Sequence, residues 1–228
     1  MLCLALTVAG CSLTDQTPVY RYRLTVEVDT PDGVKTGSSV IEVDTEVAGG
    51  YSIPTPGRVT NRVRGEAVTV DLGEGRVLFA LLRSEADIDW AGRVMYRLSP
   101  QYAGENALRD GYRNMLRHRP ERTVPRHFSR ADRVNKRSAY PMLVTFGDLD
   151  DPASVERVDP DDLAATFGEG VRLKRITVQI TDDPVTSGIE QRLGWLGNIR
   201  EMNLSNEDFP EDFPVGDFSG LFQKDTMR

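Results

Sequence analysis

Cysteine is confined to one end of this chain. Cys3 and Cys11 fall within the first eleven residues and none follows, so residues 12–228 hold neither an internal disulfide nor a thiolate nucleophile. Histidine is as scarce. His118 and His127 are the two present, both among arginines and without metal-ligand spacing, which argues against a zinc site and a Ser-His-Asp triad. Four lysines leave little choice for a Ser-Lys pair. No apolar run approaches the roughly 18 to 20 residues of a membrane-crossing helix, and GxSxG, P-loop and GxGxxG patterns are missing. No cofactor is implied.

What remains is an ordinary globular composition. The chain has 228 residues, 39% of them hydrophobic, and a formal charge of −7, which suits one large domain with appendages. Tyr20, Tyr22, Leu24, Val26 and Val28 alternate with polar residues, and Ile41, Val43, Thr45 and Val47 repeat the pattern, so both segments read as half-buried strands around a Pro31-Asp32-Gly33 turn. Gly and Pro mark 48–61 as a loop. Strands follow at 63–72 and 76–84, joined by a Gly73-Glu74-Gly75 hairpin. Val77 to Leu82 is apolar on both faces, which places it centrally with something covering its outer side.

Later segments supply helices and two more strands. Leu108, Tyr112 and Met115 have helical spacing within 105–118, as do Ile189, Leu193 and Leu196 within 188–196. Asp159-Pro160-Asp161-Asp162 reads as a helix start, and Ser187 with Glu190 as a capping box. Strands are expected at 141–146 and 171–181. The expectation is an α+β fold, a mainly antiparallel sheet of about six strands covered by about three helices.

Residues 1–10 are small and apolar, like the core of a secretory signal. Val8-Ala9-Gly10-Cys11 resembles the lipobox of bacterial lipoproteins, in which small residues admit the signal peptidase and the cysteine thiol carries the lipid. The resemblance implies a signal peptide at 1–10, an acylated Cys11 and membrane lipid as partner. It also implies a cell-envelope location facing the periplasm. Ser12, where inner-membrane retention favours Asp, points to the outer membrane. Such signals open with Lys or Arg and none precedes Arg21, so the expected true start lies upstream. Residues 11–18 are expected to be a tether, 19–200 one domain and 201–228 an acidic Phe/Pro-rich tail. The stretch from Asp151 to Leu196 is similar to uncharacterised proteobacterial sequences, which implies no activity.

Charge is uneven along the chain. Residues 109–137 carry ten basic side chains against three acidic ones, while 148–162 and 201–217 are strongly acidic. Arg109, Arg113 and Arg117 recur every four residues along one helix edge beside an apolar stripe, a pattern for binding anionic lipid or envelope polymers. The competing reading is a solvated face whose loop pairs with the protein's own acids. The repeated Asp-Phe-Pro of the tail is expected to wrap its own domain, with the basic region as its neighbour, or else to dock on a protein partner. Asp148, Asp150, Asp151 and Asp159 depart from a calcium loop and read as turn and cap residues. Nucleic acid is not an expected partner at this net charge. Two functions follow: an anchored binding or scaffold subunit, and an envelope hydrolase working through a carboxylate pair.

Overall fold

The computed structural model describes residues 14–48, 58–100, 107–202, 204–210, 213 and 218–225. Val8, Ala9, Gly10 and Cys11 lie outside them. The strands are β1 (Thr14–Gln16), β2 (Tyr20–Thr30), β3 (Gly33–Ala48), β4 (Val59–Glu66), β5 (Val68–Gly73), β6 (Arg76–Ala80), β7 (Arg122–Thr123), β8 (Leu143–Phe146), β9 (Val155–Val158), β10 (Arg172–Thr181) and β11 (Gln223–Asp225). The helices are short: α1 (Trp90–Arg97), α2 (Ala107–Met115), α3 (Arg130–Val134), α4 (Ala164–Phe167) and α5 (Phe218–Phe222).

The α+β class and the antiparallel pairing are as expected, but one sheet of six strands under three helices is not what forms. A seven-stranded sheet, ordered β11-β4-β3-β2-β10-β7 with β1 beside β3, faces a four-stranded sheet ordered β5-β6-β8-β9. The main cover of the first sheet is therefore the second. Tyr22, Leu24, Val26, Ile41, Val43 and Val178 of the large sheet form one buried cluster with Val68, Val70, Leu78, Ala80 and Leu143 of the small one.

Residues 63–72 divide where a single strand was expected. β4 belongs to the large sheet and β5 to the small one, with Ala67 between them donating its N–H to the Phe222 carbonyl at 2.7 Å. The cause is visible in the alternation. Val63 is buried at an odd position, whereas Val68, Val70 and Leu72 are buried at even ones, and such a change of phase cannot continue along one pleated strand. Gly37 permits the close approach of the sheets: a Cβ built there would lie 2.1 Å from the Thr69 carbonyl oxygen.

The small sheet's outer face carries Val77, Phe79, Leu81, Val144 and Phe146, covered by Leu193, Trp195, Phe209, Phe213, Phe218 and Phe222. The apolar run at 77–82 thus has the cover it requires, and the expected wrapping of the tail occurs. Its neighbour is this apolar face rather than the basic region, because the rings contribute more by leaving water than its exposed acids gain from distant charge. Phe222 packs edge-on to Phe79 at 5.9 Å and to Trp195 at 5.7 Å. Of the stretch read as a tether, Thr14–Gln16 pair with β3 and Thr17 hydroxyl donates to the Thr45 carbonyl at 2.6 Å.

Two expected helices are reduced. Residues 189–191 and 194–197 form separate 3-10 turns instead of one helix over 188–196, with Gly188 in the left-handed region at φ 117°. Their start is not held by the Ser187/Glu190 box. Glu66 takes the Gly188 and Ile189 N–H groups at 2.8 and 3.0 Å. The helix after Asp159 is the four residues of α4, and the carboxylate reaching its first turn is Asp162, which accepts from Ala165 N–H at 3.2 Å. Asp159 instead closes its own turn onto Asp161 N–H at 2.9 Å.

Phe222→Ala is expected to lower unfolding free energy by about 3–5 kcal/mol, as for large aromatic truncations in cores. Gly37→Ala should cost about 1–3 kcal/mol through the backbone clash with Thr69. Urea denaturation measures both; stability within error of the parent would contradict the respective packing.

Candidate functional site

α2 places Tyr112 and Met115 inward. Both are buried, and Tyr112 stacks on Tyr96 of α1 with centroids 4.6 Å apart. The apolar stripe is therefore part of the core, and an α2 that lies on a bilayer with that stripe in the acyl region is ruled out. The opposite edge faces water. Arg113 and Arg117 are exposed and have no ion-pair partner among the described residues. Arg109 lies one turn earlier on the same helix, and its side chain is not among those described.

The rest of the basic segment is sorted by its neighbours. Arg119 grips Asp182 with two nitrogens at 2.6 and 3.3 Å. Arg122 donates to Ser99 hydroxyl at 3.1 Å and to the His118 carbonyl at 3.2 Å. Arg126 holds Asp161 through Nε and Nη2, at 2.8 Å for the latter, and stands over the Tyr140 ring at 5.5 Å. Hydrogen bonding from Arg126 holds the Asp161 carboxyl below the usual aspartate range. These three arginines serve the fold. Pairing with the protein's own acids, one of the two readings of this segment, accounts for Arg119 and Arg126.

A second cationic surface lies beyond them on α3. Ser129 hydroxyl accepts from Asp132 N–H at 3.1 Å to cap the helix, and Lys136 turns the chain at its end in the left-handed region, φ 55°. Arg130, Arg133, Lys136 and Arg137 are exposed there around Val134, which is 74% exposed. Beside α3 run two adjoining hollows of 250 and 470 Å³ that share Ser138. All but one of their arginines are paired: Arg93 with Asp87 and Asp89, Arg97 with Asp132, Arg126 with Asp161 and Arg157 with Glu85, while Arg137 has no ion pair among the described residues. A groove so balanced offers polar contacts but no strong field.

The two histidines stand apart in role. His118 Nδ1 lies 3.2 Å from the Asn114 carbonyl and His127 Nδ1 2.8 Å from that of Arg137. Among the described residues no three His, Cys, Asp or Glu side chains are grouped to hold a metal ion. Asp148 and Asp151 close turns onto Asp150 and Ala153 N–H, the turn-forming role expected of them.

Glu66 is the residue that sequence patterns missed. It is 3% exposed, and burial pushes its carboxyl above the ordinary glutamate value, against the N–H groups of Gly188 and Ile189. Its partners lie more than 120 residues away, so no local spacing could reveal it. No protein-family model, curated protein or solved structure matches this chain.

Because the folded Asp161 carboxyl titrates below its unfolded value, its pairing adds stability above the ordinary aspartate range and loses it as pH falls through the lowered value. Asp161→Asn is expected to cost less than about 1 kcal/mol near neutral pH, given the pair's exposure. The gap to the parent should close as pH falls through the lowered value. Denaturation at several pH values tests this, and a gap that persists in acid would assign the effect to packing.

Proposed function

We propose that this protein is a cell-envelope lipoprotein, anchored through acylated Cys11 and facing the periplasm. In this reading it is a binding or scaffold subunit at the membrane surface, with the Arg109, Arg113 and Arg117 edge of α2 resting on anionic headgroups. The supporting observation is where the chain enters the fold. Val19, Tyr20, Leu116 and Arg119 line one hollow of 460 Å³, so the entry of β2 and the C-terminal end of α2 lie together. Thr14 pairs with Ala48 only three steps after Cys11, and three steps reach at most about 11 Å.

An acyl anchor at Cys11 would thus hold this end of the body against the bilayer. Two or more chains, at about 0.8 kcal/mol per buried CH₂, anchor stably, and each basic residue near an anionic surface adds about 1 kcal/mol. With the apolar side of α2 in the core, the helix contributes charge alone. For the alternative of a hydrolase working through two carboxylates, Glu66 is a poor member of the pair, since both its oxygens accept from backbone N–H groups.

Cys11→Ser is expected to move the protein from the membrane fraction to the soluble one; retention equal to the parent would refute the anchor. Arg109→Ala, Arg113→Ala and Arg117→Ala together should abolish sedimentation with phosphatidylglycerol vesicles at low salt, and high salt should do the same to the parent. Binding unchanged in the triple variant would exclude the α2 edge as the contact.

A further inference from the structure

Arg21, Glu42 and Arg64 stand in register on β2, β3 and β4, so their side chains share one face of the large sheet. Glu42 is 7% exposed and accepts from Arg21 Nε at 2.6 Å on one oxygen, while its other lies 2.9 Å from Arg64 Nη2. One buried carboxylate bridging two guanidinium groups fixes the position of both, and the trio retains one positive charge in excess.

Those bonds do not exhaust the donors. A guanidinium carries five N–H groups. Arg21 directs one more at the Asp183 carbonyl, at 3.4 Å, and the Arg21 and Arg64 side chains remain 35% and 43% exposed. Both arginines line a cleft of 390 Å³, a size suited to a small ligand. Its opposite wall is the 184–187 segment. That wall is held in place by Thr186, whose N–H donates to the Val40 carbonyl at 3.1 Å and whose hydroxyl accepts from Val40 N–H at 2.8 Å. Ser187 sits exposed at the mouth.

We propose that this cleft binds a small organic anion, whose phosphate or carboxylate group is held by the paired guanidinium groups of Arg21 and Arg64. Two planar forks flanking one carboxylate can each meet an oxygen of an oxyanion, which a lysine in either place would meet only as a point charge. Of the acids lining the cleft, Glu66 has both carboxylate oxygens engaged by the Gly188 and Ile189 N–H groups, and Asp225 stands beside Lys224. Arg21 and Glu42 also line the hollow at the end of α2, but the site makes no use of Cys11 or of the arginine edge on α2.

Calorimetric titration of the full chain with inorganic phosphate and with succinate, at constant ionic strength, tests the proposal. Saturable binding of phosphate alone assigns a phosphorylated ligand, and of succinate alone a carboxylic acid. Arg21→Lys and Arg64→Lys are each expected to weaken binding at least about tenfold, as loss of charge-assisted hydrogen bonds implies. Arg113→Ala with Arg117→Ala should leave it intact, which separates this site from the membrane contact. Ser187→Trp, which fills the mouth without touching the ladder, should abolish binding in a chain whose circular dichroism is unchanged. Absence of saturable heat with both probes at millimolar concentration would overturn the proposal. So would parent-like affinity in the Ser187→Trp variant.

Discussion

The constraint on which this fold depends is a strand that is apolar on both faces. β6 presents Leu78 and Ala80 to one cluster and Val77 and Phe79 to the other, all of them nearly inaccessible to water. Neither face can be left wet, since each buried aliphatic or aromatic side chain is worth about 1.5–3 kcal/mol over its exposed state. The large sheet covers one side. The other is covered by residues of the C-terminal segment, Leu193, Trp195, Phe209, Phe213, Phe218 and Phe222 among them, pinned to the body where the Leu221 and Phe222 carbonyls accept from Leu82 and Ala67 N–H at 2.9 and 2.7 Å. That segment is a third layer of the core.

Charge is organised on top of this packing. Arginines whose carboxylate partners lie far along the chain, such as Arg119 with Asp182 and Arg126 with Asp161, tie loops to one another. Arg113 in α2 and Arg117 just after it, and Arg130, Arg133, Lys136 and Arg137 around α3, have no ion pair among the described residues and are exposed to meet another molecule. Across the large sheet Arg21, Glu42 and Arg64 form a third arrangement, in which a buried acid holds two bases in place. Position relative to the core, not the identity of the side chain, separates these three uses of arginine.

Period-two alternation identified β2, β3 and β10, whose inward residues Tyr22, Ile41 and Val178 have almost no exposure, because a half-buried strand writes its burial directly into its spacing. Helices were less legible. α1 escaped notice because Trp90, Ala91, Val94 and Met95 are buried around a short turn whose hold comes from elsewhere: Trp90 Nε1 donates to the Ala139 carbonyl at 2.8 Å and Tyr22 hydroxyl to that of Ala91 at 2.8 Å. Residues 188–196 have helical spacing but carry Gly188 and Gly194, and the carboxylate that orders them is Glu66.

The amino-acid sequence by itself determined the α+β class, the main strands, the doubly apolar β6, the inward turn of the tail's phenylalanines and the basic character of residues 109–137. Each rests on the local spacing of apolar and charged residues. Only the tertiary structure decided that the strands divide into two facing sheets, that α2 turns its apolar side to the core, and which arginines are already engaged. Glu42 with its two arginines and Glu66 with its distant amides belong to that second group, because a hydrogen bond between residues far apart in the chain leaves no periodic trace along it.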